Sequence, residues 1–171
     1  MMNALQRLAG WLERAVDVIG RASAWIALAL VLLMAGNVLL RYLFRIGSVW
    51  SQELEWHLMV PLVLFGMSYG ILKDGHLRVD IFYVGFGPRT RLWIDFAAAV
   101  LLALVASAVL WLSLAYVEQS ASIGERSPDP GGLSHLYVLK AFIPVGFAVL
   151  ALLGVAQALR LGATLIAGPR G

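Results

Sequence analysis

Polar and apolar positions along this chain fall into long blocks rather than short alternations. Four stretches, 22–40, 56–72, 96–117 and 141–159, contain no Asp, Glu, Lys or Arg and are built mainly from Leu, Val and Ala. At a rise of 1.5 Å per residue each covers roughly 25–33 Å, which matches a bilayer hydrocarbon core of about 30 Å. Backbone polar groups in lipid must be satisfied within their own segment, so helix is the expected form. The pattern predicts an all-α integral membrane protein, a single membrane domain of 171 residues with four transmembrane helices. The spans are expected over about 22–44, 53–72, 92–117 and 137–161.

The segments between the spans carry their own signals. In 1–21, Leu5, Leu8, Leu12, Val16 and Ile19 recur at helical spacing, with Arg7, Arg14 and Arg21 on another face. Two readings are open: an amphipathic helix lying on the inner leaflet, or a plain continuation of the first span's helix. The first span is longer than a signal-peptide core of about 7–15 residues, and Arg41 and Arg45 follow it, so it is expected to be retained. Residues 73–91 mix charge with Leu77, Val79, Ile81, Phe82, Val84 and Phe86. That predicts a short interfacial helix or turn on the membrane surface, broken by Gly85, Gly87 and Pro88. Turn formers dominate 120–132, which fits either an ordered polar loop or a flexible tip.

Composition narrows the class. The chain is 61% hydrophobic and 13% charged, against about 45–50% and about 25% in soluble domains. This excludes an ordinary soluble enzyme and a disordered protein, and no nucleic-acid partner is expected. With no cysteine, disulfides, thiolate metal sites and Cys nucleophiles are excluded together. The cations are placed unevenly. Arg7, Arg14, Arg21, Lys73, Arg78, Arg89, Arg91, Arg160 and Arg170 fall on one side of the four spans; Arg41, Arg45, Arg126 and Lys140 fall on the other. The positive-inside rule then puts both termini in the cytoplasm. Such imbalance also argues against a dual-topology exporter.

Candidate chemistry is sparse. No ionisable side chain lies in the middle of any span, where one would mark an ion or substrate path. Glu53, Glu55 and His57 cluster at the entry of the second span beside Trp50 and Trp56. They fit an interfacial helix cap, a docking surface for another protein, or, as an incomplete pair, a metal site. His57, His76 and His135 admit a haem-binding membrane anchor of a respiratory complex as the alternative, although no cofactor is expected. Gly66 and Gly70, and Gly154, Ala158 and Gly162, form small-residue stripes that let helices approach closely. Pro61 and Pro144 are candidate kinks, and Asn37 is expected to bond to a neighbouring helix in the chain or in a partner.

Several segments resemble one family, over about 22–162. Gly36-Asn-Val-Leu-Leu-Arg-Tyr-Leu-Phe44, the Trp50–Glu53–Glu55 entry and Arg91-Leu-Trp-Ile-Asp95 are similar to the small membrane subunit, DctQ-type, of tripartite ATP-independent periplasmic (TRAP) transporters. The most specific likeness is Lys73-Asp-Gly-His-Leu-Arg-Val-Asp80. Gly124-Glu-Arg-Ser-Pro, Gly131-Gly-Leu and Lys140-Ala-Phe-Ile-Pro-Val-Gly146 resemble the branch labelled for mannitol or chloroaromatic compounds, with Ser134 and Leu136 where that branch has Pro and Trp. The resemblance implies a non-catalytic, multi-pass subunit of the bacterial inner membrane. It would scaffold a large multi-span subunit and help dock a periplasmic substrate-binding protein during ion-gradient-driven uptake of an organic acid. Residues then expected to meet partners are Trp50, Glu53, Glu55, Arg126 and Asp129 outside, and His76, Arg78 and Asp80 in the inner loop. Asn37, Gly66 and Gly70 would serve within the bilayer.

Overall fold

Helix boundaries follow the punctuation of the sequence. In a computed structural model, which describes residues 2–73 and 83–167, four long helices account for most of the described residues. They are α1 (Met2–Phe44), α2 (Val49–Leu72), α3 (Pro88–Ser122) and α4 (Leu136–Ala167). Pro88 opens α3 at its first turn, where the missing N–H costs nothing. A single 3₁₀ turn, Tyr83–Gly85, precedes it. All four helices are long and apolar enough to cross a membrane, and the described residues contain no strand.

α1 is uninterrupted from Met2 to Phe44, so the amphipathic segment continues the helix of the span. Its apolar stripe is covered in part by protein: Ala9 and Val16 are buried, and Val16 packs with Val149 and Leu153 of α4. α1 ends at Arg45, whose φ of 56° is left-handed, and the chain turns directly into α2.

α4 is the hub. α3 packs along it, α1 pairs with α2, and both α1 and α2 also pack on α4. In the most apolar window of α4, 39% of residues are buried, against 6% in α1 and 11% in α2 and α3. Small residues make this possible. A Cβ added at Gly154 would lie 2.7 Å from the backbone nitrogen of Ala103 in α3, and one at Gly146 would lie 2.6 Å from Leu64 Cβ in α2. By contrast, Gly66 and Gly70 have no such neighbour within 4 Å among the described residues, so that stripe is not closed by them.

The rest of the apolar surface is uncovered. Trp25, Leu32, Leu101, Leu104 and Trp111 are all more than half exposed. Lipid tails satisfy such surface as well as protein does, so no aggregation argument applies. Buried hydroxyls are satisfied locally: Ser23 donates to Gly20 O at 2.6 Å and Ser113 to Leu110 O at 2.8 Å, each within its own helix.

Candidate functional site

The polar chemistry of the chain gathers at the two ends of the bundle. At the end holding the α1–α2 turn, the segment 123–135 folds back on itself. Ser127 N–H donates to Leu133 O at 3.0 Å, Gly132 N–H to Asp129 O at 3.0 Å, and Leu136 N–H to Glu125 O at 3.2 Å. Gly124 and Gly131 take the left-handed φ values of 58° and 82° that these turns require, which glycine adopts without steric cost. The segment is therefore an ordered loop.

α2 reaches into that loop through Glu53. Its Oε1 accepts the Ser127 hydroxyl, and its Oε2 accepts Leu133 N–H at 2.5 Å. Two residues on, Glu55 turns the other way and accepts a bond from Asn37 Nδ2 of α1 at 2.6 Å. Of the two partners expected for Asn37, the structure supplies the one within the chain. The ring of His57 donates through Nδ1 to the carbonyl of Glu53 at 2.8 Å, one helical turn back. Trp50, Arg126 and Asp129 are exposed around this centre.

A second fastening lies at the foot of the same loop. Glu125 Oε2 receives Lys140 Nζ at 2.5 Å and the Ser120 hydroxyl at 2.6 Å, and the Lys140 ammonium sits 4.1 Å from the centre of the Tyr116 ring. The Lys140 bond, then the Ser120 bond, hold the Glu125 carboxyl below the usual carboxylate range. Lys140 is 15 residues away in sequence and sits in the first turns of α4, so no helical spacing announces the pair.

At the other end, Asp17 of α1 pairs with Arg21 at 2.8 Å and with Lys73, at the end of α2, at 2.7 Å. Arg160 of α4 lies 3.4 Å from Glu13. Tyr83 donates to Asp95 at 2.7 Å, and Arg91 Nε to the carbonyl of Phe86 at 2.8 Å, fixing the approach to α3. His76, Arg78 and Asp80 lie outside the described residues.

Thus the structure joins Asn37 to Glu55 and sets Glu53 against Ser127 and Leu133 of the loop that carries Arg126 and Asp129, while Gly66 and Gly70 stand apart in the C-terminal half of α2. Sequence reasoning missed Ser127 and Leu133 as the partners of Glu53, and it missed the Glu125–Lys140 pair. The Asp17–Arg21 spacing of four was the one signal in plain view. No group of three or more His, Asp or Glu able to hold a metal occurs among the described residues.

Comparison with known proteins fits this arrangement of spans. Residues 30–163 match the family described as tripartite ATP-independent periplasmic transporters, DctQ component. The C4-dicarboxylate TRAP transporter small permease protein DctQ of Vibrio cholerae is 36% identical over 53 residues, a match spanning 31% of this chain and 23% of that protein. Neither finding supports a haem anchor. The chain belongs to the DctQ family of TRAP transporter components, as a multi-pass protein of the bacterial inner membrane.

Proposed function

We propose that this chain is a non-catalytic scaffold. It holds the fixed part of a large multi-span TRAP subunit in the bilayer and helps dock a soluble periplasmic binding protein. The complex takes up an organic acid driven by an ion gradient; the Vibrio cholerae relative is named for C4-dicarboxylates. The family match over residues 30–163 carries this reading. Physical support comes from the spans, which have no ionisable side chain at mid-depth to mark a transport path.

In this reading both termini are cytoplasmic, as the placement of the cations favours. The ordered loop 123–135, with Arg126 and Asp129 exposed on it and Trp50 nearby, faces the periplasm and meets the binding protein. Glu53 holds that loop in shape, and Glu55 ties the outer end of α2 to Asn37 of α1. The open stripe of Gly66 and Gly70 and the uncovered apolar faces meet lipid or the large subunit. The inner loop of His76, Arg78 and Asp80 braces the cytoplasmic side.

The test is a gentle-detergent pull-down of the tagged chain from its native membrane, followed by mass spectrometry. A large multi-span protein should accompany it in near-equal amount, and replacing Arg78 and Asp80 by Ala should reduce that recovery. Recovery of the chain alone, or with flavin or haem subunits, overturns the scaffold reading.

A further inference from the structure

Most of the bonds that shape the 123–135 loop are internal to it, but Glu53 is not part of the loop. It stands one turn into α2, in the other helical hairpin, and both of its carboxylate oxygens are used on the loop. The receiving groups are specific. The Ser127 hydroxyl donates to Glu53 and at the same time accepts Asp129 N–H at 3.2 Å, so its orientation is set from both sides. Gly132 lets the carboxylate close in: a Cβ there would lie 2.6 Å from Glu53 Oε1 and overlap the Ser127 side chain. Arg126 and Asp129 flank Ser127 and are exposed.

From this juxtaposition we infer that Glu53 is a positioning residue. Set in α2, it fixes the loop that α3 and α4 carry, and so fixes where Arg126 and Asp129 stand when the soluble binding protein arrives. The inference rests on the docking reading given above. Its chemical content is that two acceptor oxygens are needed. A glutamine at this place has one, which Leu133 N–H requires, so the uncharged amide N–H₂ would face Ser127 and turn its hydroxyl from donor to acceptor, replacing two charge-assisted bonds by weaker neutral ones.

The chain has no cysteine, so a nitroxide attached to Pro130→Cys in the purified chain, before the complex is reassembled, reports the loop alone. In the assembled complex in lipid nanodiscs, Glu53→Gln and Gly132→Ala should each increase nitroxide mobility. Each should also weaken binding of the purified, labelled binding protein several-fold, with recovery of the large subunit unchanged. Ser127→Ala should do the same, while Ser127→Thr, which keeps the hydroxyl, should retain most of the affinity. The Arg126→Ala, Asp129→Ala double variant separates the two levels of the argument. If it weakens binding and Glu53→Gln and Gly132→Ala do not, positioning by Glu53 is wrong and docking stands. If it leaves binding unchanged, the docking reading fails and takes the inference with it. Loss of the large subunit from the Glu53→Gln complex would make Glu53 a general structural residue and overturn the inference as well.

Discussion

The α3–α4 seam and the attachment of α1 solve the same problem by different means. Along the seam, Gly154 brings the backbone of α4 against Ala103 of α3, and Ala106, Leu150 and Ala151 fill the space beside it. Dispersion contacts between close surfaces hold this pair, which is the main resource available when lipid removes the hydrophobic drive between helices. α1 is mostly uncovered. Asn37–Glu55 ties it at one end, Asp17–Lys73 and Glu13–Arg160 at the other, and Gly20 closes against the Tyr69 ring between them. The difference teaches where tolerance lies. A backbone neighbour, or the base of a side chain such as Tyr69 Cβ, which would lie 2.5 Å from a Cβ on Gly20, cannot yield, whereas the far end of a long charged side chain can.

The sharpest way to break the comparison is Gly154→Ala. Its Cβ would meet the Ala103 backbone at 2.7 Å, and overpacking of this kind costs about 1–3 kcal/mol. Thermal unfolding in detergent should show a clearly lowered midpoint, while Gly66→Ala, with no neighbour within 4 Å, should leave the isolated chain unchanged. Equal effects at both glycines would remove the distinction between seam and open stripe.

Asn37→Val should act more weakly. Interhelical polar bonds in membranes average about 0.6 kcal/mol, because the separated helices also find partners. A double-mutant cycle with Glu55→Ala, which removes the acceptor, should return a coupling of about that size. A coupling indistinguishable from zero would mean that α1 is held by its inner ion pairs and by packing alone.

The smallest effect should be the pH dependence of the loop's foot. Because the Lys140 and Ser120 bonds lower the Glu125 pKa in the folded protein, their stabilisation is present above the usual glutamate value. It is lost progressively as pH falls from about 4.3 through the lower folded value. The advantage in unfolding midpoint of the native chain over Glu125→Gln should therefore shrink between neutral pH and strong acid. An advantage that grew on acidification would contradict the assignment.

How much was legible beforehand depends on the range of the interaction. The four spans were plain, because about 20 apolar residues in a row have one stable form in a bilayer. The small-residue stripe of α4 was visible, and Gly154 does meet α3 at close range. The stripe of Gly66 and Gly70 looked equivalent on paper, yet no described residue comes within 4 Å of a side chain placed there. Glu53 was noticed as an acid at a helix entry. Its partners, 74 and 80 positions further along, were not, since no local periodicity links them.

By itself, the sequence determined the class, the number of spans, the ends at which charge is allowed and the family. All of these follow from the transfer of short segments between water and lipid, which each segment undergoes almost independently of the others. Only the tertiary structure decided that α4 is the hub, that residues 2–21 form one helix with the first span, and that Glu53 and Glu55, two residues apart, serve different neighbours. Those choices depend on which faces meet and at what depth. Between helices that are all equally at home in lipid, fit and hydrogen bonding make that selection, and hydropathy does not.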